Sequence, residues 1–250
     1  MANQNFNTFG RGGVIPDQAS FDVGLRAHMI RVYNYMASGL ALSGIVAFAL
    51  FSSPELAGLF FQISPRGAVV GLNGLGWIAV LAPLGLLLLT SFRGATMSVG
   101  AVQAVYWAVT ALMGVSLSLL LFRYTGASVA RTFFVTAASF GALSLYGYTT
   151  KRDISGMGSF LIMGVVGLIL AGVLNIFLQS GPLQFAISAL GLLIFSGLTA
   201  YDTQQIKDNY YAVAHDASIM TKSAIMGALN LYLDFINMFQ SLLSLVGNRD

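Results

Sequence analysis

The sequence predicts an all-α, polytopic membrane protein that folds as a bundle of seven transmembrane helices. Only 8% of its 250 residues are charged and 56% are apolar, whereas roughly a quarter of the residues of a soluble domain are charged. The mean hydropathy of +0.78 points the same way. So few charges cannot cover a surface that faces water, which excludes a soluble globular protein.

Residues 1–28 are the first segment, and they are polar and rich in glycine and asparagine. This composition cannot bury a core, so we expect a flexible N-terminal tail ahead of a transmembrane domain of residues 29–250. The tail lacks the apolar run and the small-residue cleavage site of a signal peptide.

Seven apolar stretches follow, and a helix needs roughly 20 residues to cross a bilayer. The stretches are 31–51, 75–92, 98–122, 129–149, 157–178, 183–206 and 223–246. The second is short and glycines blur its start, so six crossings with one interfacial segment is the competing interpretation. Residues 160–171 are apolar on every side, whereas the strands of a membrane barrel alternate, so we expect helices.

The positions of lysine and arginine predict the orientation. With the N-terminus inside and seven crossings, eight basic residues lie in inner segments, namely Arg11, Arg26, Arg31, Arg93, Lys151, Arg152, Lys207 and Lys222. Four lie in outer segments, namely Arg66, Arg123, Arg131 and Arg249. We therefore expect a bacterial inner membrane protein with a cytoplasmic N-terminus and an external C-terminus. A net charge of +3 spread over many loops indicates no nucleic-acid partner.

Two acidic residues lie inside apolar stretches, Asp202 near the end of the sixth and Asp234 in the middle of the seventh. An ionised carboxylate costs about 2.5–3.5 kcal/mol there, so such residues normally face an interior cavity and have a function. Polar residues at helical spacing accompany both: Asn230, Asn237 and Ser241 beside Asp234, and Thr199 and Gln205 beside Asp202. The simplest arrangement has the two carboxylates facing each other.

A plainer interpretation stays open for both residues. Asp202 could be interfacial and solvated by water, and Asp234 could have a structural hydrogen-bond partner. If both helices stand upright, Asp234 lies about 9 Å deeper than Asp202, and tilt or a later helix start would have to close that gap.

Several kinds of chemistry have no support in the sequence. The absence of cysteine excludes disulfides, thiolate metal sites and cysteine nucleophiles. The two histidines, His28 and His215, are too far apart in sequence for a zincin motif. No GxGxxG or GxSxG motif occurs, and neither aspartate lies in the GxGD context of intramembrane proteases. We therefore expect no enzyme activity and no cofactor.

Three segments carry a resemblance to a known family. They are GLTAYDTQQIKDN at 197–209, LNLYLDFINMF at 229–239 and YGYTTKRDIS at 146–155. The first two resemble the paired signature of the Bax inhibitor-1 family of membrane proteins, and the third is similar to the family's corresponding cytoplasmic loop. The likeness covers the chain from about residue 25.

The resemblance implies a seven-helix bundle with the last helix at its centre. It also implies a di-aspartyl pH sensor near the cytoplasmic end, which falls on Asp202 and Asp234, and a pH-sensitive calcium leak. The family's latching arginine falls on Arg93, in the segment TSFRGA. Relatives with several consecutive basic residues at this place differ from the present chain.

Elementary electrostatics agrees with a switch of this kind. Two carboxylates in a dry site cannot both ionise cheaply, so they would share a proton, and an arginine would compete with that proton. Such a competition makes a two-state element that pH can bias. Because Ca²⁺ takes six to eight oxygen ligands and the two aspartates supply only part of that shell, we expect weak, transient Ca²⁺ binding.

Three functions remain open at this stage. The first is a calcium leak whose partners are the lipid bilayer, Ca²⁺ and protons. The second is a proton-coupled transporter, which also needs intramembrane carboxylates but usually shows repeats and broken helices. The third is a non-conducting regulator that binds other membrane proteins, such as a membrane-bound protease.

Overall fold

Long helices dominate the structure, a computed structural model that describes residues 18–64, 69–94 and 96–248. The long helices are α1 Gln18–Ser52, α3 Gly74–Arg93, α4 Val99–Arg123, α5 Gly126–Thr149, α6 Gly158–Leu178, α7 Gly181–Val213 and α8 Ala217–Val246. These seven are long and apolar enough to cross a membrane. The predicted all-α, seven-helix architecture is confirmed.

The breaks between the helices can be short because polar residues cap the first turns of the helices that follow. Asn73, Ser98, Thr125 and Ser180 each accept a hydrogen bond from a backbone N–H in the first turn of the helix that follows. Such caps satisfy donors that have no partner inside the helix. One residue can therefore end a loop and begin the next crossing.

A small element lies in the break between α1 and α3. It consists of α2 (Pro54–Gly58) and a hairpin of β1 (Phe61–Ile63) and β2 (Val69–Leu72), paired antiparallel. The helix that follows, α3, has 20 residues and a mean hydropathy of 2.0. The structure therefore has this short element in addition to seven helices that are long and apolar enough to cross a membrane, which favours seven crossings over six.

The N-terminal boundary of the membrane domain differs from the prediction, because α1 begins at Gln18 and not after residue 28. Leu25, Met29, Val32 and Met36 recur at helical spacing and are buried. Their pattern extends the helix into the segment that was predicted to be a tail. Residues 1–17 lie outside the described residues, as do Arg66 and Arg249 of the topology count.

The last helix, α8, is the most buried of the seven long helices. It packs against α1, α4, α5 and α7, and half of its apolar window is buried. By contrast, α6 packs against α7 and has 6% of its window buried. The two helices that carry the intramembrane aspartates, α7 and α8, therefore pack against each other in the most buried part of the protein.

Candidate functional site

The site begins with a tight turn between α7 and α8. Helix α7 ends at Val213 and α8 begins at Ala217. Asp216 caps α8, because its Oδ1 accepts hydrogen bonds from the backbone N–H groups of Ser218 (2.7 Å) and Ile219 (3.0 Å). The turn makes the two helices antiparallel neighbours along their whole length.

A constant stagger along this helix pair brings Asp202 and Asp234 to the same depth. Ile206 packs on Gly227, and the Thr199 hydroxyl lies 3.3 Å from the sulfur of Met238. The predicted offset between upright helices does not occur, because α8 is shifted along α7. The two carboxyl groups lie within hydrogen-bond reach of each other.

The aspartate pair lies in the interior of the bundle. The Asp234 side chain is 4% exposed, and Asp202 is half-buried. No N–H or hydroxyl group of the described residues donates to the buried Oδ2 atom of Asp234. A hydrogen bond between two carboxyl groups requires a proton on one of them, so this geometry fits a singly protonated pair.

No cation of the described residues contacts the pair. Arg93 is exposed at the end of α3, a helix that packs against α4 and β2. Lys207 donates instead to the Tyr148 carbonyl (3.1 Å), and Lys222 donates to the Met97 carbonyl (3.4 Å). Lys151 is exposed. The predicted contact between Arg93 and the aspartates is absent from this conformation.

The polar residues predicted to flank Asp234 separate in the structure. Asn230 is exposed, so its expected place on an interior polar stripe is wrong. Asn237 is half-buried and donates to the Leu233 carbonyl of its own helix (2.8 Å). Ser241 packs against Gly191 of α7. Helical spacing places these residues on one broad face of α8. The centre of that face is buried, whereas Asn230 lies at its edge and is exposed.

A polar cavity lies beside Asn237 and Ser241. It has a volume of about 350 Å³, and its lining includes Gln184, Ser188 and Arg123. A second cavity of about 460 Å³ shares Arg123 and Gln184 with the first. Because Asn237 is three residues from Asp234, about one helical turn, the polar lining comes close to the aspartate pair.

The residues predicted to flank Asp202 have other partners. Thr199 is buried, and its hydroxyl donates to the Phe195 carbonyl (2.8 Å). Gln205 donates to the Ser155 hydroxyl (3.2 Å) and does not join the pair. It reaches the loop after α5, because that side of α7 faces the loop and not α8.

Gln204 is a structural residue that sequence reasoning missed. Its Oε1 accepts from the backbone N–H of Ile154 and its Nε2 donates to the Arg152 carbonyl, both at 2.9 Å. Gln204 therefore fixes the loop after α5 to the helix that carries Asp202. The signal was available, since Gln204 lies in the quoted segment GLTAYDTQQIKDN.

A chain of hydroxyl groups adjoins the pair and was also missed. Thr203, which follows Asp202, lies 2.9 Å from the Ser144 hydroxyl of α5, and Ser144 contacts the hydroxyl of Tyr33 in α1. This chain links three helices that are distant in sequence. No local pattern marks such a contact, so the sequence alone could not have indicated it.

Two acids outside the membrane-spanning segments differ from the buried pair. Hydrogen bonds from the side chain and backbone of Ser155 lower the pKa of Asp153, and the backbone N–H groups of Ile219 and Ser218 lower the pKa of Asp216. Both carboxyl groups are stabilised as anions. They serve loop and helix-cap structure, whereas no N–H or hydroxyl group in the described part of the chain donates to Oδ2 of Asp234.

The described residues hold no cluster of three or more His, Cys, Asp or Glu side chains that could bind a metal ion. Any cation at the pair would therefore have two carboxyl groups and would need water or backbone oxygens to complete its shell. Two carboxyl groups supply fewer oxygen donors than the six to eight that a resident Ca²⁺ takes.

Comparison with known proteins agrees with the motifs. The model of the family "Inhibitor of apoptosis-promoting Bax1" matches residues 25–250. An uncharacterized protein of Caulobacter vibrioides is 48% identical over 98% of this chain and 100% of its own length. The inner membrane protein YbhL of Escherichia coli is 42% identical over 90% of this chain and 93% of its own length.

The family match begins within α1 and includes the positions of both aspartates and the loop after α5. Together with the seven apolar helices, they show that the chain is a membrane protein and that it belongs to the Bax inhibitor-1 family.

Proposed function

We propose that this protein is a pH-sensitive cation leak, with Ca²⁺ as the permeating ion, and that the Asp202–Asp234 pair controls it. The observation that supports this most is the pair itself. Two carboxyl groups within hydrogen-bond reach lie in the bundle interior without a cation of the described residues as partner. Intramembrane carboxyl groups in such a position normally serve an ion or proton pathway.

The proton that the pair shares would set the state of the leak. With the proton in place, one hydrogen bond joins α7 to α8 and the pair carries a single negative charge, which the two carboxyl groups share. After the proton leaves, two negative charges face each other in a dry site, and each needs a cation. Ca²⁺ from the polar cavity or the guanidinium of Arg93 would then compete for the pair.

The polar cavities support a route from one side of the membrane. They run from Arg123, the last residue of α4, to Asn237 beside the pair. Toward the α7–α8 turn, the contact of Ile206 with Gly227 closes the helix interface with apolar atoms. We infer that the pair lies at the boundary between an open polar half and a closed apolar half.

Arg93 would act as a latch when the pair is ionised, through a contact that this conformation does not contain. Docking on the ionised pair would stabilise that state, so Arg93→Ala should let the pair keep its proton to higher pH. The pH midpoint of flux then moves upward. Arg93→Lys should restore it only in part, because lysine lacks the bidentate geometry.

The membrane and orientation are part of the proposal. The relative YbhL is named an inner membrane protein, and we propose the same location with a cytoplasmic N-terminus. A reporter fused after Arg152 should then report cytoplasm, and one fused at Arg249 should report the outside. The reverse signals would invert the orientation.

Flux into liposomes that hold the purified protein tests the leak. Ca²⁺ entry would be recorded across a pH series for wild type, Asp202→Asn and Asp234→Asn. Both variants should change the amount of flux and flatten its pH response, since neither can share a proton between two carboxyl groups. Asp208→Asn removes an exposed acid from the same helix and should leave both unchanged.

Equal flux in wild type and Asp234→Asn at every pH would reject the leak. It would favour a regulator that binds other membrane proteins, such as a membrane-bound protease. One observation supports that alternative: apart from the side that packs on α7, most side chains of α6 are exposed, and 6% of its window is buried. Function in cells that survives loss of both aspartates would identify the regulator.

A proton-coupled transporter has less structural support. Helices α7 and α8 run without interruption, whereas transporter sites usually lie at broken helices. Proton movement that occurs only together with Ca²⁺ movement in the same liposomes would favour the transporter over the leak.

A further inference from the structure

A groove separates α1 from α5 on the outer surface of the bundle. Both helices pack against α7 and α8, and the groove between them encloses about 600 Å³. Its lining includes Arg26, Ile30, Phe140, Gly141, Leu145 and Tyr148. At its floor, the hydroxyl groups of Tyr33 and Ser144 form the hydrogen bond that bridges the two helices. The volume lies within the range of about 300–1,000 Å³ that is typical of small-molecule sites.

The walls of the groove are apolar along most of its length, and one end is basic. Arg26 and Tyr33 are seven residues apart on α1, which corresponds to about 10 Å along the helix. Because α5 ends at Thr149, Tyr148 lies at the basic end beside Arg26, and Phe140 lies deeper. A Cβ atom at Gly141 would meet nothing within 4 Å. The middle of the groove is therefore open space with apolar walls.

Several cations are found at the same end. Arg26 is exposed, and the Lys207 ammonium lies 3.1 Å from the Tyr148 carbonyl. Lys151 follows Tyr148 by three residues and is exposed. Asp22, one turn before Arg26, is an exposed acid at this end. An apolar channel that ends in cations matches a molecule with a long acyl chain and an anionic head group.

We propose that this groove is a binding site for one anionic phospholipid of the bilayer. An acyl chain lies along Ile30, Gly141 and Leu145, and the phosphate binds Arg26. Basic pockets between helices at a membrane surface commonly bind anionic head groups in this way. The groove does not include either aspartate, so this proposal does not depend on the proposed ion leak.

Native mass spectrometry of the full chain in detergent tests the site. The protein would be titrated with phosphatidylglycerol and with phosphatidylcholine of the same acyl chains. Wild type should bind one molecule of phosphatidylglycerol more tightly than it binds phosphatidylcholine. Arg26→Gln should weaken its binding about fivefold and leave phosphatidylcholine binding unchanged. Gly141→Leu fills the groove and should weaken the binding of both lipids.

Arg31→Gln is the matched control, since Arg31 is an exposed arginine of α1 that lies beside Trp107 and not in the groove. It should bind both lipids as wild type does. If Gly141→Leu does not fold, Leu145→Trp fills the groove from a position that is 63% exposed. Equal affinity of wild type for the two lipids, or equal losses in Arg26→Gln and Arg31→Gln, would overturn the proposal. A dimer that either groove-filling variant abolishes would identify a second copy as the occupant instead.

Discussion

Helices α6 and α8 are both long enough to cross a membrane, yet they differ in where they lie. The apolar window of α6 has a mean hydropathy of 2.6 and is 6% buried, whereas that of α8 has a hydropathy of 1.2 and is 50% buried. The more polar helix is therefore the interior one. In a bilayer, lipid accepts apolar side chains readily, whereas polar groups must find partners inside the protein.

The side chains of the two helices illustrate this rule. In α8, the Tyr232 hydroxyl lies 2.7 Å from the Ser43 hydroxyl, and Asp234 lies within hydrogen-bond reach of Asp202. In α6, Phe160 and Phe177 are 72% and 81% exposed. Packing and polar contacts therefore hold α8, whereas the apolar surface of α6 matches lipid. Matched substitutions in the two helices should separate these effects.

The largest difference should come from removing a leucine side chain. Leu231 in α8 is fully buried, and Leu170 in α6 is 64% exposed. Leu231→Ala leaves a cavity and should lower the free energy of unfolding by about 2–5 kcal/mol. Leu170→Ala should change it by less than about 0.5 kcal/mol, since it leaves no cavity. Unfolding in detergent would measure both, and equal losses would mean that α6 is packed as tightly as α8.

Adding side-chain volume should have the next largest effect. A Cβ atom at Gly227 of α8 would approach Ile206 to 2.9 Å, whereas a Cβ atom at Gly167 of α6 would meet nothing within 4 Å. Gly227→Val should therefore destabilise the protein by about 1–3 kcal/mol. Gly167→Val makes the same change in helix propensity and is the control. A stable Gly227→Val protein would show that the α7–α8 contact can relax.

The smallest effect concerns the start of each helix, since α8 has a side-chain cap at Asp216 and α6 has none. The cap holds the pKa of Asp216 below its ordinary value of 3.8. It therefore stabilises the fold fully above that value, and this stabilisation is lost as the pH falls through the lowered pKa. Asp216→Ala should lower the unfolding midpoint slightly at neutral pH.

The same substitution should have no effect in acid, where the wild-type carboxyl group is protonated. Asp208→Ala, at an exposed acid near the end of α7, is the control at both pH values. A loss of stability in Asp216→Ala that is equal at neutral and acid pH would show that the carboxylate charge does not contribute to the cap.

The sequence predicted the seven helices and the aspartate pair because each carries a strong local signal. An apolar run of helical length and a carboxylate within it are both visible without the fold. The start of α1 was missed because Asp22, Arg26 and His28 interrupt the apolar pattern. The hairpin was missed because its strands have three and four residues.

The direction in which the flanking polar residues point could not be predicted. Spacing places Asn230 near Asp234 and Gln205 near Asp202, but the neighbouring helices decide which edge of each face is covered. Asn230 is therefore exposed, and Gln205 reaches Ser155. The position of Arg93 depends on how α3 packs, which no motif in the chain encodes.

Infrared spectroscopy of the carboxyl stretch tests most directly whether Asp202 and Asp234 share a proton. Wild-type protein at neutral pH should show a band of a protonated carboxyl group that disappears as the pH rises. Asp234→Asn and Asp202→Asn should each shift the frequency and the pH midpoint of this band, because the remaining carboxyl group no longer shares its proton with a second one, whereas Asp208→Asn should leave both unchanged. A wild-type spectrum without the band, or a band whose frequency and pH midpoint stay the same in both pair variants, would contradict a proton held between the two aspartates.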